Sequence, residues 1–320
     1  MTNISRYLKL FTALVCATML SAVAFAQQDD NALPQKQTHL YAVKGADSLY
    51  LDHYVSRIEG KRPCVIFIFG GGFVGGVRDK EDDIPYFHFL TKHGYDVVSI
   101  DYRLGMKGVQ SPGIIEFLQR FKTTIDIAVE DLFSATNYIL ENADKWQIDK
   151  EKIVVSGSSA GAITSLQAEY AICNSLPVTR ELREGFNYAG VMAFAGAIFT
   201  LDGVPRWNTC SAPTLLFHGS SDTQVPYNKM ALFGMGMYGS KYIADKLHDA
   251  GMPYWLYSVE YETHSMAGKP MHENHYEILT FLDEWVMRQR PLQRTTYTAD
   301  KNLPKRKTWF LPTDFINSNY

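Results

Sequence analysis

The sequence predicts an α/β fold with a doubly wound, mostly parallel sheet and helices on both faces. Continuous apolar runs, typical of strands buried on both sides, occur at residues 64–69 and 213–217. Between them, apolar residues recur with helical spacing over residues 125–143 and mark one stripe of a long helix. Strands that alternate with helices in this way favour a parallel sheet with helical crossovers.

The remaining elements follow this alternation along the chain. Two short antiparallel strands, a helix and four further strands are predicted at residues 39–43, 49–55, 82–92, 96–100, 152–156, 213–217 and 255–259. Residues 105–120 and 227–240 are longer than simple connections need. The second is rich in Met and aromatic residues, which favours either a lid over a pocket or ordinary helix packing.

The helical period stops after Arg290. We therefore expect one domain over residues 27–290, followed by a loosely structured tail or added hairpin over 291–320.

A serine lies on a predicted strand-to-helix turn. The run 152–156 leads into Gly157-Ser158-Ser159-Ala160-Gly161, and a helical pattern begins at Ala162. A serine at the centre of G-x-S-x-G in this context lies on a sharp turn, and the glycines let neighbouring chain pack closely. Ser159 is therefore the candidate nucleophile. The alternative is a Gly/Ser-rich turn without chemistry.

Three glycines follow the first buried strand at residues 70–72. They place backbone N–H groups at the carboxyl edge of the sheet, where these groups and the N–H of Ala160 can hold a developing negative charge. A phosphate-binding loop is the alternative. No Gly-Lys-Ser/Thr follows, however, and residues 73–76 carry no positive charge.

A base and an acid follow later predicted strands. Asp222 lies on a loop after residues 213–217, and His264 lies just past the strand 255–259. The chain order is therefore Ser, Asp, His. The rivals for these two roles are His272 and His275 as the base, and Asp202, Glu260 and Glu262 as the acid. His218, beside Gly219 at a strand end, is expected to make a structural hydrogen bond.

Five motifs in this order resemble the esterase/lipase branch of the α/β-hydrolases, close to hormone-sensitive-lipase-like and feruloyl-esterase-like carboxylesterases. They are Gly70-Gly71-Gly72-Phe73, Asp101-Tyr102-Arg103-Leu104, the G-x-S-x-G segment, the segment from His218-Gly219 to Val225-Pro226, and His264. The resemblance implies a catalytic triad of Ser159, Asp222 and His264. It also implies that Gly71, Gly72 and Ala160 supply the oxyanion N–H groups and that no cofactor is needed.

The sequence departs from this branch at one position. The branch carries His before the three glycines, and Phe69 stands there in this chain. The hydrogen bonds of that histidine behind the glycine loop must be replaced or absent.

The amino end has the pattern of a secretory signal. Arg6 and Lys9 precede an apolar stretch over residues 10–23, and Ala24-Phe25-Ala26 fits a small-x-small cleavage site. The stretch is short for a membrane span. We expect residues 1–26 to be a signal peptide of an exported protein, periplasmic or secreted, that keeps no integral membrane segment. Lipidation at Cys16 is the alternative, although Val15 is larger than the residue that usually precedes a lipidated cysteine.

Charge and cysteine content exclude other classes. Net charge is −3, and because residues 1–26 carry only two charges, both positive, it becomes −5 in the mature chain. Nucleic-acid binding is not indicated, because phosphate binding needs clustered cations. No cysteine pair has metal-ligand spacing, so no metal is predicted; a bridge between Cys173 and Cys210 stays open.

These features imply a serine hydrolase that acts on small-molecule or carbohydrate esters of short acyl or aryl acids. Two alternatives remain. An acylaminoacyl- or dipeptidyl-type peptidase shares the serine turn but usually carries a β-propeller, for which this chain has no room. A non-catalytic binding protein of the same fold normally lacks a triad member, and all three candidates are present.

Overall fold

A central sheet of nine strands organises the part of the chain that the computed structural model describes, residues 35–109, 113–207 and 211–308. The predicted signal peptide, Cys210 and the end of the predicted tail lie outside these residues. The strands are β1 (Gln35–Lys44), β2 (Asp47–Val55), β3 (Arg62–Ile68), β4 (Asp96–Ile100), β5 (Ile148–Ser158), β6 (Gly190–Phe194), β7 (Ala197–Thr200), β8 (Thr214–Gly219), β9 (Lys229–Leu232), β10 (Met235–Gly239), β11 (Tyr254–Val259) and β12 (Gln293–Thr298).

The sheet has the order β1-β2-β4-β3-β5-β6-β8-β11-β12. Strands β1, β2 and β4 pair antiparallel, and every pair from β4 to β12 is parallel. The central strands β3, β6 and β8 and residues 153–157 of β5 are almost wholly buried, as continuous apolar runs require when helices cover both faces. The predicted fold class is confirmed.

The helices are α1 (Ile84–Lys92), α2 (Ile114–Trp146), α3 (Ala160–Cys173), α4 (Ser240–Asp249), α5 (Pro270–Glu273) and α6 (His275–Phe281). Helix α2 begins earlier than the predicted stripe. Residues 114–120, which we expected to form part of an insertion, belong to it. Phe117 and Phe121 are buried and extend the apolar stripe towards the amino end by about two turns.

Residues 227–239 contain no helix, so the ordinary helix packing considered for this segment is absent. Strands β9 and β10 make a hairpin, and β10 also pairs with β7 in a separate three-stranded sheet. Phe233 and Gly234 connect the two strands, and both have positive φ, 52° and 83°. Two residues with positive φ are what a tight hairpin turn needs, so the turn and not the Met content decided the structure.

The segment after Arg290 also differs from the expected tail or hairpin. Residues 293–298 form β12, which pairs in parallel with β11 and extends the sheet past the predicted boundary. Trp255 Nε1 donates a hydrogen bond of 3.0 Å to Thr296 Oγ1, and the guanidinium of Arg294 lies 4.2 Å from the ring centre of Trp255. The Thr and Tyr residues of this segment suit an edge strand and carry no helical period.

Within the described ranges, no helix is long and apolar enough to cross a bilayer. The same residues contain no group of three His, Cys, Asp or Glu side chains arranged to hold a metal ion.

Candidate active site

Ser159 lies on the sharp turn between β5 and α3. Its backbone has φ 52° and ψ −114°, a conformation that L-residues rarely adopt and that costs roughly 1–3 kcal/mol. The Ser159 N–H donates to the carbonyl of Phe194 at 2.9 Å, which ties the turn to β6. The predicted strained turn is therefore present, with Ser159 at its centre.

The two glycines of this turn are required by close packing. A Cβ on Gly157 would lie 2.3 Å from the Gly161 carbonyl, and a Cβ on Gly161 would lie 2.0 Å from the carbonyl oxygen of Ile68. Both approaches are to backbone atoms, which cannot move aside. The glycine spacing thus lets the start of α3 press against the end of β3 and holds Ser159 at the carboxyl edge of the sheet.

The structure brings Ser159, His264 and Asp222 into one hydrogen-bonded chain. His264 Nε2 lies 2.8 Å from Ser159 Oγ, and His264 Nδ1 lies 2.7 Å from Asp222 Oδ2. With Nδ1–H donating to the carboxylate, Nε2 is left to accept the serine proton. The distances are those expected of a nucleophile, a general base and the group that orients the base.

Asp222 is fully buried and well supplied with donors. Its Oδ1 accepts from the backbone N–H groups of Gln224 and Val225 at 2.8 and 2.9 Å, and His218 Nε2 lies 3.2 Å from Oδ2. Burial alone would raise the pKa of Asp222. The hydrogen bonds and charges of His218 and His264 outweigh burial and hold this pKa well below its usual range. The carboxylate therefore stays ionised beside the imidazole.

His218 makes the structural hydrogen bonds that its position predicted, and it also acts on the site. Its Nδ1 lies 2.8 Å from Ser240 Oγ, while Nε2 lies 3.2 Å from the carbonyl of Val225. His218 therefore connects β8, the loop of Asp222 and the start of α4. It is a positioning residue, because it reaches Asp222 and not Ser159.

The loops after β8 and β11 are bound to each other, which places Asp222 beside His264. Ser221 N–H donates to the carbonyl of Glu262, and Tyr261 N–H donates to Ser220 Oγ. A Cβ on Gly219 would lie 2.3 Å from the Glu262 carbonyl oxygen, so only glycine allows this approach. In the His218-Gly219 pair, the histidine thus bonds the Asp222 carboxylate, and the glycine lets the loop that carries His264 come close to it.

The glycine turn after β3 lines the same pocket as Ser159 and His264. Gly71 and Gly72 have positive φ, 118° and 62°, and the Gly71 carbonyl accepts from the N–H groups of Val74 and Gly75. Ala160 opens α3, where a backbone N–H has no partner within the helix and the helix dipole favours negative charge. The three predicted oxyanion residues are therefore adjacent to Ser159, although their donation to an oxyanion stays a prediction.

Phe69 and Tyr102 occupy the space behind the glycine turn. Tyr102 Oη donates a hydrogen bond of 3.0 Å to the Phe69 carbonyl, and the two rings pack with centroids 4.5 Å apart. A Cβ on Gly76 would lie 2.5 Å from the Phe69 ring. The turn is thus supported from behind by a tyrosine hydroxyl and an aromatic stack, in a chain that lacks the usual histidine.

The pocket over Ser159 has a volume of about 490 Å³. Its walls include Val74, Val77, Gln224 and Met271, together with the turn and Ser159. Phe73 does not line it: the ring is 1% exposed and packs edge-to-face on Phe121. The sequence left open whether Phe73 offers a flat surface to substrate or packs in the core, and the structure shows core packing.

The rival residues lie away from Ser159. His275 Nε2 bonds the carbonyl of Met271 on α5 and its ring stacks on Phe89 of α1, so it is held by these two helices. Asp202 lines a different pocket, and neither Glu262 nor His272 lines the pocket of Ser159. Because Cys210 lies outside the described residues, its pairing with Cys173 stays open.

Parts of this chain are similar to known proteins. The BD-FAE family model matches residues 51–183. An AB hydrolase superfamily protein of Schizosaccharomyces pombe is 30% identical over 48% of this chain and 41% of its own length. Carboxylesterase NlhH of Mycobacterium tuberculosis is 29% identical over 36% of this chain and 31% of its own. The chain therefore spans less than half the length of these curated relatives.

A solved structure agrees over a longer stretch. The propionate-bound esterase 2 of Thermogutta terrifontis superposes with a TM-score of 0.60 at 20% identity, covering 80% of this chain and 95% of that one. This likeness shows that the chain has the α/β-hydrolase fold.

Proposed function

We propose that this protein is a serine carboxylesterase that hydrolyses esters of short acyl or aryl acids, carbohydrate esters included. The observation that carries the proposal is the hydrogen-bonded chain from Ser159 through His264 to the buried Asp222 carboxylate. The esterases among its relatives support it. The chain order and geometry fit acyl transfer through a covalent intermediate.

In the first half-reaction, Ser159 Oγ attacks the ester carbonyl carbon while its proton passes to His264 Nε2. The carbonyl oxygen becomes an oxyanion, for which the N–H groups of Gly71, Gly72 and Ala160 are the donors. The carbon–oxygen bond to the alcohol then breaks, and the alcohol leaves with the proton from His264. Asp222 stabilises the imidazolium that exists between these steps.

In the second half-reaction, His264 Nε2 takes a proton from water, and the hydroxide oxygen attacks the acyl carbon. The oxyanion forms again and collapses, the bond to Ser159 Oγ breaks, and Ser159 recovers its proton from His264. The carboxylic acid is released, and the residues return to their starting protonation. His264 accepts and returns the proton in both half-reactions.

We expect activity to be highest on short acyl chains. A pocket of about 490 Å³ bounded by a glycine turn and the polar residues Gln224 and Lys80 offers little enclosed apolar length. The measurement is kcat/KM across p-nitrophenyl esters from two to sixteen acyl carbons, with methyl cinnamate as the aryl-acid ester. A maximum at about ten carbons or more would contradict the proposal on acyl length. Absence of turnover on every ester would contradict the proposed function itself.

We also propose that the protein is exported, with cleavage after Ala26. The charged start, apolar stretch and small-x-small site of residues 1–26 support this. Intact-mass measurement of protein recovered from outside the cytoplasm should give a chain beginning at Gln27. A retained Met1, or a lipid mass on Cys16, would contradict the cleavage site.

A further inference from the structure

An acidic side chain outside the Ser159-His264-Asp222 chain lines the same pocket. Asp83 is among the pocket residues and is only 6% exposed. It immediately precedes α1, a place where Asp commonly caps the helix by accepting from its first N–H groups. Here the side chain makes no capping hydrogen bond. Asp83 therefore does not cap the helix, which is the usual structural role of an aspartate at this position.

No described group donates a hydrogen bond to the Asp83 carboxyl. Its neighbours pair elsewhere: Lys80 Nζ lies 2.9 Å from Asp82 Oδ2, in an exposed ion pair. A buried acidic group without donors is costly to fold. Burial raises the pKa of Asp83 to about 6, with the charges of Lys80 and His272 opposing this and that of Asp82 adding to it.

Because its pKa is raised, Asp83 lowers the stability of the fold near neutral pH. An aspartate whose folded pKa lies above its unfolded value lowers the stability of the fold as pH rises between the two values, from about 4 to about 6. Above that range the side chain is charged and largely buried, and the pocket is where its carboxylate can find a donor. Such a cost is typical of residues kept for function.

We propose that Asp83 is a substrate-binding residue that accepts hydrogen bonds from hydroxyl groups of the ester. A carboxylate can accept hydrogen bonds on both of its oxygens, so it can bind two neighbouring hydroxyl groups. It has no donor, so it cannot bind a carbonyl group in their place. Lys80 lines the same pocket and disfavours a cationic substrate. The inference rests on the proposed esterase function and adds what the substrate must carry: hydroxyl donors, on a sugar-like alcohol or on a phenolic acid.

The test uses two pairs of esters that differ in their hydroxyls. Glucose 6-acetate and cyclohexylmethyl acetate place the difference on the alcohol, and methyl caffeate and methyl cinnamate place it on the acid. The quantity measured in each pair is kcat/KM for the ester that carries hydroxyl groups, divided by kcat/KM for the ester that lacks them. A hydrogen bond to a charged group is worth about 1.5–3 kcal/mol, so Asp83→Ala should lower the ratio by about tenfold or more in at least one pair.

Asp82→Ala is the matched control, because Asp82 is the adjacent carboxylate, has a side chain 72% exposed and does not line the pocket. It should leave both ratios within twofold of the wild type. Asp83→Ala removes an unpaired charge, so it should fold with a Tm at pH 7 no lower than that of the wild type. Ratios unchanged in both pairs would overturn the role of Asp83.

A binding measurement separates this inference from the proposed function. Calorimetry with Ser159→Ala measures the affinity for glucose 6-acetate and methyl caffeate without hydrolysis, and adding Asp83→Ala should weaken binding of at least one of them tenfold or more. If the wild type hydrolyses no ester, the proposed function fails while this comparison still decides the role of Asp83. Absence of binding, or equal binding by both variants, would overturn it.

Discussion

Ser159→Ala should lower kcat on p-nitrophenyl acetate by about 10⁶, the size of loss seen when the triad nucleophile of a known serine hydrolase is removed. Ser159 Oγ is the atom that His264 Nε2 reaches at 2.8 Å. Alanine removes this atom and retains the backbone, whose N–H still bonds Phe194. The fold should persist, which circular dichroism and thermal unfolding check.

The adjacent serine provides a matched control within the same turn. Ser158 Oγ donates to the carbonyl of Ala267 at 2.8 Å, whereas it is Ser159 Oγ that bonds the imidazole. Ser158→Ala loses this one hydrogen bond, worth about 1 kcal/mol, and should keep activity within about tenfold of the wild type. An inactive Ser158→Ala beside an active Ser159→Ala would show that the wrong serine has been assigned.

A covalent label gives a second readout of the same prediction. An organophosphate ester such as paraoxon should phosphorylate Ser159 in the wild type and leave Ser159→Ala unmodified, as intact mass and peptide mapping would show. Esterase 2 of Thermogutta terrifontis has been solved in the form phosphorylated by paraoxon. Labelling of the alanine variant at another serine would contradict the assignment.

The parts of the fold that sequence reasoning predicted are those in which one local signal is sufficient. Strand β4 spans the predicted residues 96–100, because its apolar run is bounded by turn residues on both sides. The turn at Ser159 was predictable because glycine spacing encodes backbone approach, as the contact between Gly161 and Ile68 shows.

The parts that sequence reasoning missed depend on partners distant in the chain. The Thr and Tyr residues of β12 suit a strand, but only its distant partner β11, with an open parallel edge, decides that it joins the central sheet. The Tyr102 hydroxyl that supports the glycine turn bonds a carbonyl 33 residues away. Asp83 was missed because its sequence context resembles an ordinary helix cap, and only the structure shows that the cap is not formed.

The second large effect concerns the acid. Asp222→Asn should lower kcat by about 10⁴, the loss found when the triad aspartate of a known serine hydrolase is replaced by its amide. Oδ1 accepts from the N–H groups of Gln224 and Val225, so the amide oxygen takes that place. The amide NH₂ then faces His264 Nδ1, which must become an acceptor. The proton moves to Nε2, and the imidazole can no longer take the proton of Ser159.

The substitution also affects stability, so activity and folding must be measured together. The depressed pKa of Asp222 contributes stability that is present above the ordinary aspartate pKa of about 4 and is lost as pH falls through the folded value. The Tm difference between wild type and Asp222→Asn should therefore be largest near neutral pH and shrink in acid. The kinetic measurements should therefore be made at a temperature well below the Tm of the variant.

Asp202→Asn is the matched control, since Asp202 was the rival acid and lines a separate pocket. It should retain wild-type kcat. Because the amide spoils the tautomer of His264 and leaves the pocket walls in place, Asp222→Asn should lower kcat far more than it changes KM. A loss of less than about tenfold, or an equal loss in Asp202→Asn, would mean that Asp222 does not set the imidazole tautomer, and that the hydrogen bond of 2.7 Å to His264 Nδ1 is structural only.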